Sequence, residues 1–200
     1  MIIGIDEVGR GPLAGPVVVA AVALPRHFKI QNVKIKIKDS KQLTPKQRSA
    51  VSGWIKSRRD IHYAVARVQP KIIDRINVSR AANRAAYRSF IQLKSRIKNL
   101  ELRDKKLRIM LDGGLHLPKH IPHTTIIRGD EHYPAIALAS IIAKVTRDQY
   151  MKRQHRAYPH YGFDRHKGYG TAAHIKALRR HGPCPLHRLT FIKNFVTFKK

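Results

Sequence analysis

Five short runs of apolar residues punctuate the chain. Ile2 to Ile5, Pro16 to Leu24, His62 to Val68, Leu107 to Leu111 and Thr124 to Ile127 each read as a β-strand bounded by turn residues. The first runs straight into Asp6 and Glu7 and then Gly9-Arg10-Gly11-Pro12, a tight reversal, so the first two runs read as a hairpin. Between the runs the period changes to that of helices. Thr44 followed three residues later by Gln47, with Pro45 between them, is a capping-box pattern that predicts a helix from Pro45 to about Lys56, with Trp54 and Ile55 inward. Lys71 to about Ile97 repeats apolar residues at three-to-four spacing, with a break expected near Asn77 and Ser79. Its opposite face is basic: Arg80, Arg84, Arg88, Lys94 and Arg96. Tyr133-Pro134 opens a helix that is apolar nearly all round to Ala143, and so is expected against the sheet, and polar from Lys144 through Arg147. Thr171 to Arg180 reads as a short helix stopped by Gly182-Pro183.

Strands interleaved with helices predict an α/β fold. The chain has 200 residues, of which 42% are hydrophobic, which suits one folded unit. The expected organisation is a core over residues 1–157 with a C-terminal segment, 158–200, in the same compact unit. The aromatic residues of that segment, Tyr158, Tyr161, Phe163 and Tyr169, alternate with basic residues and glycines. This suits base stacking and phosphate contact, or else a packed appendage. The single Cys184 excludes an intramolecular disulfide, and no paired cysteine motif for zinc exists. No apolar stretch approaches a membrane span, and the opening residues already read as a core strand, so a cytoplasmic protein without a signal peptide is expected.

Charge changes the picture. Lys and Arg total 41 against 12 Asp and Glu, a formal +29, which points to a polyanionic partner, chiefly nucleic acid. Against that background the few acids are informative. Asp6 and Glu7 follow one strand, Asp112 follows another and Asp130 a third, each near glycine. In α/β sheets strand ends are where ligand sites collect. Converging carboxylates repel one another unless a cation intervenes, and oxygen-only donors suit Mg²⁺ or Mn²⁺. Two such ions could activate a water and stabilise the leaving oxygen of a phosphodiester. Neighbouring strand residues point to opposite faces, so Asp6 and Glu7 share a site only if the strand end kinks. Each acid also has an ordinary reading. Asp130 could cap the helix that begins near Pro134, and Asp112 could be a turn residue.

The motifs resemble those of ribonuclease HII. They are Ile5-Asp6-Glu7-Val8-Gly9-Arg10-Gly11-Pro12, Asp39-Ser40-Lys41, Ile73-Asp74, Asp112-Gly113, Gly129-Asp130, Ala139-Ser140 through Lys144, Arg147-Asp148, His166-Lys167-Gly168-Tyr169-Gly170-Thr171, His174 and His187-Arg188, and they run in family order along nearly the whole chain. The resemblance implies a ribonuclease H-like fold: a five-stranded mixed sheet flanked by helices, with a C-terminal helical extension. It implies hydrolysis of the RNA strand of RNA–DNA hybrids and incision 5′ to single ribonucleotides embedded in duplex DNA, giving 3′-hydroxyl and 5′-phosphate ends. By motif, Asp6, Glu7, Asp112 and Asp130 are the catalytic, metal-binding acids for Mg²⁺ or Mn²⁺, with two ions during catalysis. Gly9, Arg10 and Gly11 read the ribose 2′-hydroxyl, and Tyr169 packs on the sugar at the RNA–DNA junction. Lys41 and Lys167 are further candidates for substrate contact. The implied partners are the hybrid and the ribonucleotide-bearing duplex, with no membrane, no obligate protein partner and a monomeric state. His132 departs from the lysine common two residues after the fourth acid.

Three rivals remain on sequence grounds. A non-catalytic RNA-binding protein accounts for the charge alone. A junction resolvase would keep the fold but gives no reason for Gly9-Arg10-Gly11 and Tyr169. A zinc enzyme would use some of the 12 histidines, but no His-Glu-x-x-His is present. The histidines are instead expected to add pH-dependent charge to the nucleic-acid face.

Overall fold

All five apolar runs enter one sheet. The strands are β1 (Ile2–Val8), β2 (Val17–Leu24), β3 (His62–Val68), β4 (Arg108–Asp112) and β5 (Thr124–Ile126), in spatial order β3-β2-β1-β4-β5. Antiparallel pairing joins β1 to β2 and β2 to β3. Parallel pairing joins β1 to β4 and β4 to β5. The structure, a computed structural model, describes residues 1–28, 43–97 and 107–196. The Asp39-Ser40-Lys41 motif, and with it Lys41, lies outside those residues.

The helices are α1 (Pro45–Ser57), α2 (Pro70–Ile76), α3 (Val78–Ile97), α4 (Gly129–His132), α5 (Pro134–Ala157), α6 (Phe163–His166), α7 (Ala172–His181) and α8 (Leu189–Ile192). The capping box of α1 forms as its sequence predicts, with the Gln47 amide donating to the Thr44 hydroxyl at 3.3 Å and the Thr44 amide to the Gln47 side chain at 2.8 Å. Its inward residues are Val51, Ser52 and Ile55, while Trp54 is only half-buried, under Arg58. The expected break near Asn77 separates α2 from α3. Asn77 sits at φ 65°, and its side chain accepts from the Arg80 amide at 3.0 Å.

Alternation along β2 explains its unbroken apolar run. Val17, Val19, Ala21 and Ala23 join one core layer with Ala81, Ala82, Ala85, Ala86, Phe90 and Leu93 of α3. Val18, Ala20, Val22 and Leu24 join the other layer with α1 and α5. A strand covered on both faces needs no polar positions. On the α5 side of β1, Gly4 leaves room that a side chain would take: an added Cβ would run into the backbone of Ala135 and Ile136. The first turns of α5 therefore lie directly on β1. The next β1 residue on that face is Asp6.

A third core layer binds the segment after α5 to the loop after β1. Leu13, Ala14 and Met151 pack with Tyr161, Phe163, Leu178, Leu186 and Ile192. Backbone bonds run from Leu13 N to Gly168 O, Gly15 N to Leu186 O and Arg188 N to Leu13 O, each 2.8 Å. The Asp74 carboxylate holds the start of α8, accepting from the amides of Leu189 (2.8 Å) and Thr190 (3.0 Å). No helix among the described residues is long and apolar enough to cross a membrane.

Candidate active site

The site forms where parallel pairing stops. The β1–β4 register ends at Ile5 opposite Leu111, while β1 stays paired with β2 as far as Val8. Asp6 and Glu7 thus remain in regular strand, and the expected kink is absent. Both are anchored by the hairpin and leave the β4 side open. Asp112, the last residue of β4, lies across that opening. One carboxylate oxygen from each of Asp6, Glu7 and Asp112 lies within 4.8 Å of the others. Alternation still aims the two neighbours at different faces: Asp6 meets Ser140 of α5, and Glu7 meets Arg10, which also reaches Ser79 of α3. Their oxygens nonetheless converge around the strand end.

Each carboxylate is held by few donors. Asp6 accepts from the Glu7 amide at 2.7 Å and from the Ser140 hydroxyl. Glu7 pairs with Arg10 at 3.1 Å through one oxygen, and its other oxygen, Oε2, is buried with no hydrogen-bond partner. Asp112 accepts from the Gly129 amide at 2.8 Å. That bond ties the end of β4 to α4, where Asp130 sits buried. Asp130 is not the cap of α5, whose flanking residue Tyr133 makes no side-chain cap bond. It lines the same cleft but is not one of the three acids whose oxygens fall within 4.8 Å of one another. Asp112 also opens the turn its sequence suggests, through its backbone: the Leu115 amide donates to the Asp112 carbonyl at 3.3 Å.

Electrostatics follow from this crowding. Burial, then the neighbouring Glu7, then Asp112 push the Asp6 carboxyl well above the usual aspartate range, although Ser140 and the Glu7 amide oppose the shift. Burial also raises Glu7, against the opposing pull of Arg10. The cleft measures about 580 Å³ and is lined by the four acids together with Val8, Ser140, Arg48, Lys144 and Tyr169. Three acids held this tightly with few donors fit a hard divalent cation, which would neutralise them and take the orphaned Glu7 oxygen.

The remaining sequence candidates separate. Gly9 is buried at φ 92°, and a side chain there would clash with Arg147 and the Pro16 carbonyl. Gly11 is exposed, and an added Cβ would meet nothing within 4 Å. Arg10 is engaged with Glu7, with Ser79 at 2.8 Å and with the Gly114 carbonyl at 3.5 Å. Tyr169 is 43% exposed and faces the cleft, but Tyr161 and Phe163 are core residues, so only one of the interleaved aromatics is presented there. Lys167 lies outside the acid cleft. Its ammonium caps the Asp164 and Arg165 carbonyls, and it lines a neighbouring cleft of about 280 Å³ that shares Arg48 and Lys144 with the first.

Two groups of residues were not legible as such from sequence. Arg147 and Arg188 are fully buried, although Arg147 falls in the stretch of α5 expected to be polar. Arg147 donates to the carbonyls of Ala14 (3.0 Å), Pro16 (3.0 Å) and Lys167 (2.9 Å). Arg188 donates to those of Gly9 (2.5 Å), Arg10 (2.7 Å) and Gly15 (2.9 Å). The histidines are the second group. His174 and His187 are buried and bonded to each other at 3.0 Å, and His166 stacks on His174 at 4.4 Å. Burial drives both His174 and His187 down to about 4, so these rings are neutral core residues, not surface charge.

A five-stranded mixed sheet carrying a carboxylate cluster at the ends of its central strands defines a metal-dependent nuclease with a ribonuclease H-like fold. The family profile described as Ribonuclease HII matches residues 3–194, and the chain belongs to that family. It is 46% identical to Ribonuclease HII of Chlamydia caviae over 191 residues, covering 96% of this chain and 84% of that protein. The ribonuclease H2 structure from Pyrococcus horikoshii OT3 superposes with a TM-score of 0.70 at 27% identity, covering 97% of this chain and 96% of that one. Bst-RNase HIII in complex with Mn²⁺ shares the fold, with a TM-score of 0.71 at 22% identity, over 95% of this chain and 66% of that one. The chain is therefore a metal-dependent ribonuclease H, acting on RNA–DNA hybrids.

Proposed function

We propose that the chain incises duplex DNA 5′ to a single embedded ribonucleotide, in addition to cutting the RNA strand of hybrids, and leaves 3′-hydroxyl and 5′-phosphate ends. The observation that carries this reading is the group of three carboxylates within 4.8 Å, set in a cleft that also holds Tyr169. Asp6, Glu7, Asp112 and Asp130 would hold two divalent ions, Mg²⁺ or Mn²⁺. Bound there, the ions supply a nucleophilic water and charge stabilisation for the leaving 3′-oxygen. The Mn²⁺ in the Bst-RNase HIII complex is consistent with that class of ion.

The protein's own residues do the rest. Ser140 and the Glu7 amide fix the Asp6 carboxylate, and Arg10 holds one Glu7 oxygen while Oε2 is buried without a hydrogen-bond partner. Lys144, ion-paired with Asp148 at 2.9 Å, and Arg48 line the cleft wall and add positive charge beside the phosphodiester. The backbone of Gly9, Arg10 and Gly11 reads the 2′-hydroxyl, the group that distinguishes RNA from DNA at one nucleotide. Tyr169 stacks on the sugar at the junction. Residues 158–200 act as a substrate-binding segment of the core unit, and the protein works as a cytoplasmic monomer.

A labelled duplex holding one ribonucleotide tests this. Incubation with Mg²⁺ is expected to give one cut, 5′ to the ribonucleotide, with a 3′-hydroxyl on the upstream product. EDTA is expected to abolish it. Cutting of an all-DNA four-way junction in its place would move the substrate to a resolvase. Binding with no turnover would remove the catalytic reading.

A further inference from the structure

Two hydrogen-bonded paths begin at adjacent residues, His187 and Arg188, and end on the two elements to which the proposed function gives the sugar. The first path is a line of rings. The Tyr169 carbonyl can only accept, so Nδ1 of His174, 2.8 Å away, carries the proton. Nε2 of His174 is then an acceptor and takes its bond from Nε2 of His187 at 3.0 Å. Nδ1 of His187 in turn accepts from the Cys184 amide at 2.9 Å. Nδ1 of His187 also lies 3.3 Å from the Cys184 carbonyl, but a proton placed there would leave none between the two Nε2 atoms, so in the neutral pair only one arrangement satisfies both ends and the bond between the rings. Tyr169 is thereby held, through its own carbonyl, to His187.

The second path is the Arg188 guanidinium, whose fork reaches the carbonyls of Gly9, Arg10 and Gly15. In a trans peptide the C=O and the following N–H point in opposite directions. Drawing the Gly9 carbonyl inward turns the Arg10 N–H outward, and drawing the Arg10 carbonyl inward does the same for the Gly11 N–H. Arg188 thus sets the orientation of the loop amides from behind. No carboxylate forms an ion pair with it among the described residues; it is spent on backbone carbonyls.

We infer that His187-Arg188 is a positioning unit that fixes the spacing between the Gly9–Gly11 loop and Tyr169, and through that spacing the selectivity for a lone ribonucleotide. This rests on the substrate reading above. A single ribonucleotide offers one 2′-hydroxyl in one register, so the loop and the tyrosine must be matched to it. A continuous hybrid offers a ribose at every step and tolerates a displaced loop. Misplacement on the order of an ångström is worth up to roughly a hundredfold in rate.

The test compares kcat/KM on a duplex with one ribonucleotide and on a continuous RNA–DNA hybrid, using one preparation of each protein. The ratio of the two values does not depend on the fraction of protein that is folded. Arg188→Lys replaces the fork by a point charge that cannot hold three carbonyls in one plane, and His187→Gln interrupts the ring path. Each is expected to lower the ratio by roughly tenfold or more. Leu93→Ala, a core truncation on the α3 side of the sheet, is expected to destabilise the protein and leave the ratio alone. If Arg188→Lys does not fold, His174→Gln and His187→Gln give the reading. Ratios within twofold of wild type in the folded variants would overturn the inference, as would an equal fall in Leu93→Ala. A wild-type protein that cuts the hybrid but not the single ribonucleotide overturns the substrate reading itself, and this unit with it.

Discussion

Arg147 and Arg188 are as deeply buried as Asp6, yet the two regions treat their charge in opposite ways. Around each arginine three backbone carbonyls accept its N–H groups. Nearby, His174 and His187 are paired in a fixed proton order. At the strand ends, Asp6, Glu7 and Asp112 face one another, and Glu7 keeps a buried oxygen with no partner. Buried polar groups are normally satisfied, because an unmet one costs about 1–3 kcal/mol. The satisfied region is architecture that places loops. The unsatisfied region is a crowd of carboxylates that the proposed metal ions would neutralise.

Breaking the unsatisfied side has the largest expected effect on activity. Asp112→Asn or Asp6→Asn removes a proposed metal ligand, and losing several kcal/mol of transition-state stabilisation is expected to lower the rate by roughly a thousandfold. Steady-state cleavage checks this, while retained duplex binding in a gel-shift assay shows that the fold survives. The same Asp6→Asn change is expected to raise thermal stability without metal by roughly 0.5–2 kcal/mol, since it removes a repulsive buried charge. Unchanged activity, or a lower Tm in chelator, would erase the contrast between the regions.

Breaking the satisfied side acts on stability first. Arg188→Met leaves the Gly9, Arg10 and Gly15 carbonyls without their donor and is expected to cost about 3 kcal/mol or more, read by denaturant titration. Tyr169→Ala should leave stability nearly unchanged. Loss of the proposed stacking, worth about 1–3 kcal/mol, is expected to lower cleavage at a single ribonucleotide by roughly 5- to 100-fold, and to lower it less on a continuous hybrid. Equal losses on both substrates would remove its place at the junction.

The two regions also have opposite pH slopes. His174 and His187 titrate near 4 when folded, against about 6.5 in an unfolded chain. The unfolded state therefore binds more protons between those values. The stability these rings contribute is complete above about pH 6.5 and is lost as pH falls toward 4, at up to about 1.4 kcal/mol per pH unit per ring. Asp6 and Glu7 are shifted upward, so their ionised forms weaken the fold above the raised values, and acidification relieves that cost. In chelator, Asp6→Asn should lose Tm more steeply than wild type as pH falls from 7 toward 4.5, because the Asp6 contribution is gone and only that of Glu7 still opposes the histidine slope. Parallel curves would show that the acid cluster carries no such cost.

How much of this was legible in the sequence follows the same division. Strands, helix caps and the acids after strand ends were readable because each depends on residues close in the chain: Thr44 with Gln47, Asn77 with Arg80, Asp112 at the end of its strand. Asp6 and Glu7 were readable as a pair, but not how they share a site. That depends on the β1–β4 pairing ending at Ile5 opposite Leu111, which leaves Asp112 across from them. Arg147 was unreadable because its surroundings come from Ala14, Pro16 and Lys167, far apart in sequence. Its position on a helix that turns polar points the other way. The histidines misled for a similar reason. A ring at position 174 or 187 looks like surface charge until the fold stacks it on another ring.

The most direct measurement is a Mn²⁺ titration followed by the electron paramagnetic resonance signal of the free ion. Wild-type protein is expected to take up the ion, and Asp6→Asn and Asp112→Asn each to weaken uptake by at least roughly tenfold. Equal uptake by wild type and both variants would contradict the assignment of the strand-end carboxylates as the ligands of that ion.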